Sequence, residues 1–161
     1  MRVIGSLVSL AVFAFAPTAS AQFANVDACS LLTATEASAA LEVPVQKGQH
    51  LMEPSKTACI WTDAASISDI DHRRVSVSIM AQIAFDHTKT SPGLKTEPVS
   101  GVGDDAYYVL PKGGGPILNV KKGAVYIQIK VLNGLKAKPP LSEDAVKAKE
   151  LTLAKAAAGR A

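Results

Sequence analysis

Cysteine is scarce in this chain, with two in 161 residues, Cys29 and Cys59. They form no Cys-x-x-Cys pair and no histidine follows them at zinc-site spacing, which argues against a redox-active dithiol or a cysteine metal site. Aromatic residues make up only 5% of the chain. They do not alternate with basic residues, and the bases are dispersed, paired at Arg73-Arg74 and Lys121-Lys122 but nowhere a stripe. Nucleic acid is excluded as a partner on those grounds. Histidine is limited to His50, His72 and His87. No Gly-x-Ser-x-Gly elbow is present, so the commonest serine-hydrolase signature is missing. No long apolar run occurs beyond the amino terminus, so no membrane span is expected, because crossing a bilayer takes about 20 apolar residues.

The amino terminus itself reads as an export leader. Arg2 supplies a positive start, Val3 to Ala16 form an apolar stretch, Pro17 ends it, and Ala19-Ser20-Ala21 gives the small-x-small pattern of a cleavage site. Residues 1–21 are therefore expected to be a signal peptide, and residues 22–161 one domain. Loss of the leader removes one base, Arg2, leaving 16 bases against 14 acids, too even a balance to argue for nucleic acid. A lipid anchor would need a cysteine directly after the apolar run; the first is Cys29, preceded by Val26-Asp27-Ala28 with an acid where small or apolar residues belong. The expected location is periplasmic or secreted, with the protein released.

Two cysteines in an exported chain permit one pairing, Cys29 with Cys59. The bridge would close a loop of about 31 residues and contribute roughly 3.7 kcal/mol in the chain-entropy account.

Along the chain, Thr33 and Glu36 form a capping box before an alanine-rich helix over Ala34–Leu41, with Leu32, Ala37, Ala40 and Leu41 as its buried stripe. Val43-Pro44 ends it. Gln46 to Thr57 reads as a solvated loop carrying His50 and Glu53. Ala58 to Thr62 reads as a strand on which Trp61 shares a face with Cys59. Asp63 to Asp71 is a turn region; Asp69 and Asp71 lie close, but no full oxygen-ligand calcium loop follows. Arg73 to Gln82 alternates, with Val75, Val77 and Ile79 on one face and Ser76, Ser78 and Met80 on the other. Ile83 to Thr90 is ambiguous between a helical turn and a loop, and Lys95 to Val99 is extended.

Gly101 to Leu132 carries the densest strand signal: Ala106–Leu110, Ile117–Lys121 and Ala124–Leu132, each preceded by a turn. On the last, Val125, Ile127, Ile129 and Val131 form the core face, with Tyr126, Gln128 and Lys130 outward. Ser142 caps a closing helix over Glu143–Ala158, with Val146, Leu151, Leu153, Ala154 and Ala157 as core contacts. The predicted fold is α+β, an antiparallel sheet of about five strands with an amino-terminal and a carboxy-terminal helix packed on one face.

Cys29-Ser-Leu-Leu-Thr, Cys59-x-Trp61 and Gly101-Val-Gly-Asp-Asp-Ala-Tyr-Tyr together resemble a family of small exported bacterial domains of unknown function. Many of these are lipoproteins, and they are frequent in actinobacteria. The resemblance implies fold and location rather than mechanism, and this chain departs from it in lacking a lipid-attachment cysteine. Some such domains are similar to extracytoplasmic sensors, which implies binding.

For chemistry, Asp71-His72 and Asp86-His87 invite a triad, yet adjacent residues rarely face each other in a regular element. The candidate ligand-binding residues are Asp104, Asp105, Tyr107 and Tyr108, two acids and two phenols at a glycine-framed turn suited to a cation, an amine or a sugar. The competing account has the aspartates capping the turn while one tyrosine packs inside and the other covers the sheet. The expected function is a non-enzymatic module binding an unknown small molecule or envelope protein, without cofactor, metal or catalytic residue. The alternatives are a small hydrolase using His72 or His87, and an envelope structural or inhibitor protein acting through a sheet edge.

Overall fold

The computed structural model describes residues 25–161. The leader read in residues 1–21 lies outside the described residues. Asp27 caps a single 3-10 turn, Ala28–Ser30, by accepting from the Cys29 amide. Thr33 then opens helix α1 (Ala34–Leu41) with the expected reciprocal cap. Its hydroxyl accepts from the Glu36 amide at 3.2 Å while the Glu36 carboxylate accepts from the Thr33 amide at 2.8 Å. Glu42 ends the helix in the left-handed region at φ 60°.

The remaining elements are β1 (Gln49–His50), β2 (Ala58–Thr62), β3 (Arg74–Ile79), α2 (Gln82–Thr90), β4 (Lys95–Pro98), β5 (Asp105–Leu110), β6 (Ile117–Lys122), β7 (Val125–Leu132) and α3 (Glu143–Ala158). The strands form one sheet in the order β1-β2-β3-β7-β6-β5-β4, every neighbouring pair antiparallel. The sheet thus has seven strands rather than about five. The surplus comes from its two edges, β1 of two residues and β4 of four, which are too short to show a side-chain alternation in the sequence.

Register carries the apolar pattern across the sheet. Cys59 pairs with Val77, Val77 with Ile129, Ile129 with Leu118, and Leu118 with Tyr108, one continuous row beneath the helices. A second row runs Trp61, Val75, Val131. Helices α1 and α3 cover these rows with Ala37, Leu41, Val146, Leu153 and Ala154, as expected for the two terminal helices.

The opposite face holds a second, smaller core. Phe85 of α2 packs against Tyr107 at 4.9 Å and Tyr126 at 5.2 Å between ring centroids, and Val109 completes the cluster. Tyr126 does face away from the main core, as its alternation predicts, but α2 buries it. No helix among the described residues is long and apolar enough to cross a membrane.

Candidate functional site

Strand alternation sends Asp105 and Tyr107 to the α2 side of the sheet and Tyr108 to the α3 side, while Asp104 sits in the turn before β5. Asp104 accepts from the Gly123 amide at 2.6 Å and lies 3.4 Å from Lys122, closing the β6–β7 turn. The Gly123 amide, and behind it Lys122, hold the Asp104 carboxyl below its usual range. Asp105 pairs with Lys89 of α2 at 2.6 Å. The Tyr107 hydroxyl donates to the Phe85 carbonyl under α2, and the Tyr108 hydroxyl donates to the Lys147 carbonyl under α3, each at 2.6 Å. Both rings are buried, and desolvation pushes both phenols up to about 12. The two hydroxyls therefore anchor helices on opposite faces and do not open onto a common recess. Gly103, at φ 59°, sets the strand start where a Cβ would collide with the Lys121 carbonyl and the Val120 side chain.

His72 and His87 also separate. His72 lies 3.1 Å from Asp63 and 3.7 Å from Asp69, in a shallow polar hollow with Asp71 and Lys136, which pair with each other. His87 is exposed on α2. Among the described residues no hydroxyl or thiol hydrogen-bonds a histidine; every such partner is a carboxylate.

The convergence of charged groups occurs elsewhere, in the segment read as a solvated loop. Strand pairing of β1 with β2 puts His50 opposite Cys59. The Cys29–Cys59 disulfide, with Cα atoms 5.1 Å apart, then draws the 3-10 turn onto the same spot. Asp27, the cap of that turn, is thereby carried to His50 from 23 residues away. The His50 ring is held on both sides: Nε2 donates to Asp27 Oδ1 at 2.8 Å and Nδ1 donates to Glu53 Oε1 at 2.9 Å. A carboxylate at each ring nitrogen favours the protonated form of the imidazole. The Asp27 hydrogen bond, then that of Glu53, raises the His50 pKa, and His50 in turn lowers that of Asp27.

Asp27 Oδ1 also accepts from the Cys29 amide at 2.8 Å, so one oxygen serves both the turn and the ring. Lys56 stands 4.0 Å from its other oxygen. Asp27, Cys29, Ser30, Lys47, His50 and Glu53 line an open recess here, of about 620 Å³.

The floor of the recess is fixed by close packing. A Cβ on Gly48 would lie 2.6 Å from the Trp61 ring and 2.7 Å from the Cys59 sulfur. Trp61 is buried beside the disulfide, as strand alternation predicts. The sequence carried one signal for this site, the His50–Glu53 spacing; the third member, Asp27, is visible only once the cysteines are joined. No family model, curated protein or solved structure matches the chain.

Proposed function

We propose that the chain is an exported, non-enzymatic binding module and that the recess of Asp27, His50 and Glu53 is where it binds. The observation that supports this most is the carboxylate at each nitrogen of His50. A general base needs a nitrogen free to take a proton from a positioned nucleophile. Here both nitrogens are engaged, and the groups around them present hydrogen-bonding and charged atoms to solvent, an arrangement suited to capturing a polar or cationic ligand. The disulfide is compatible with an oxidising, extracytoplasmic location, and the leader supports periplasmic or secreted destinations.

The other readings have less behind them. A hydrolase built on His72 or His87 lacks a hydroxyl or thiol in hydrogen-bond reach among the described residues. Partner addition at a sheet edge meets a two-residue β1 and a four-residue β4 that ends in Pro98, both poor templates for a further strand.

A thermal-shift screen of the exported chain against small polar and cationic envelope metabolites and divalent metals tests the reading. Binding to the folded state raises the midpoint by mass action. At least one compound is expected to raise it in the wild type and to leave His50→Ala unmoved. A screen with no such compound, or shifts that persist in His50→Ala, refutes the assignment.

A further inference from the structure

From the arrangement of donors we infer that His50 and Asp27, backed by Glu53, form a site for one divalent first-row transition ion of the zinc class. The inference rests on the reading of the recess as the binding site and gives it a ligand. It also departs from the sequence expectation of no metal, for which no clustered spacing was visible.

Three features carry it. First, Glu53 accepts from Nδ1 of His50 at 2.9 Å. A carboxylate behind a ring nitrogen is the outer-shell device that orients metal-bound histidines and points the other nitrogen at the ion. Second, that other nitrogen, Nε2, faces Asp27 Oδ1 at 2.8 Å. The hydrogen between them occupies the place an ion would take. Zinc sits about 2.0–2.1 Å from nitrogen and oxygen ligands in tetrahedral sites, which sets those two atoms about 3.3 Å apart. The gap needs to widen by about half an ångström, a shift open to a carboxylate with 31% of its side chain exposed.

Third, the Asp27 and His50 donor atoms meet in an open recess, with the Cys29 sulfur within 4.8 Å of both. The Cys29 sulfur is spent in the disulfide and offers no thiolate, so oxygen completes the sphere. Glu53 stays behind Nδ1, and the open recess admits water as the remaining oxygen ligands.

The test uses the exported chain purified without reductant, titrated with zinc by calorimetry and with cobalt(II) by absorption. One equivalent of zinc is expected to bind. His50→Ala should weaken it at least tenfold, Glu53→Gln by about 10–100-fold as for other outer-shell carboxylates, and His72→Ala should leave it unchanged. The cobalt spectrum should lack a thiolate charge-transfer band. Glu53 is exposed, so its variant keeps the proposal testable should Asp27→Asn disturb the turn it caps.

Absence of saturable zinc binding, unchanged affinity in His50→Ala or Glu53→Gln, or a thiolate–cobalt band in the unreduced protein would each overturn the metal site. If zinc is silent while another compound shows a His50-dependent thermal shift, the metal is wrong and the binding recess stands. If neither appears, both readings fall.

Discussion

Glu150 is fully buried on the inner side of α3. One of its oxygens accepts from the Val131 amide at 2.9 Å, and the other has no partner among the described residues. The need for it is local. Strand β6 starts at Ile117, and extending the β6–β7 register would set Pro116 opposite Val131, beyond the end of the ladder. The Val131 amide would otherwise be a buried orphan, and such groups are costly. Burial pushes the Glu150 carboxyl up to about 8, although Lys130 and Lys147 pull the other way.

The sign follows from proton counting. Between the ordinary value near 4.5 and about 8 the folded state holds a proton that the unfolded state has lost, so stability falls as pH rises through that window. The slope is at most about 1.4 kcal/mol per pH unit. Glu150→Gln keeps an acceptor and cannot ionise, so relative to wild type it should gain stability steadily from pH 5 to pH 8. Urea unfolding of both proteins across that range checks this; parallel curves would refute it. No sequence pattern distinguishes Glu150 from the exposed acids of the same helix, because the reason for its burial lies in where another strand happens to end.

At the level of elements, the two helices on the main core are joined by a side-chain clasp. Arg160, just past the end of α3, places its guanidinium on both Glu36 oxygens at 2.8 and 3.0 Å and donates to the Leu31 carbonyl at 2.9 Å. The same Glu36 closes the cap of α1. Arg160 and the cap together draw the Glu36 carboxyl down to about 2. A lowered carboxylate contributes stability above its ordinary value near 4.5 and loses it as pH falls towards 2. The pair is partly exposed, so Arg160→Ala should cost only about 1–2 kcal/mol at neutral pH. Thermal unfolding should show that difference shrinking as pH falls from 5 to 2. A constant gap would mean that the arginine acts through packing alone.

Legibility differed sharply between elements. Helix α1, strand β2 and helix α3 are bounded where their caps, β-branched residues and prolines indicate, because these signals are local. Helix α2 was ambiguous: Ala81 offers no side-chain cap, and its single buried residue, Phe85, gives no stripe to read. The expected outward face of β7 hid Tyr126, since alternation reports which side a residue takes and not whether a helix covers it.

For the whole molecule, the disulfide is both a staple and the builder of the recess. It fastens the 3-10 turn and its Asp27 to the strand that pairs with His50. The pairing of the cysteines was legible from their number, whereas the meeting of Asp27 with His50 needed the register of an edge strand only two residues long. Replacing both cysteines by serine should remove roughly 3–4 kcal/mol of stability through the longer-ranging unfolded chain. Gly48→Val should cost about 2–4 kcal/mol, since its side chain must displace the Trp61 ring or the Cys59 sulfur. Denaturant midpoints give both numbers, and a neutral Gly48→Val would show that the floor of the recess is loose.

The geometry of the recess depends on the disulfide, and its proposed role on export and cleavage of the chain. The intact mass of the protein recovered from the cell envelope or medium, without reductant, tests all three at once. The account predicts a chain running from Gln22 to Ala161 and two hydrogens lighter than the dithiol form. A mass that retains residues 1–21, or one matching two free thiols, would contradict it.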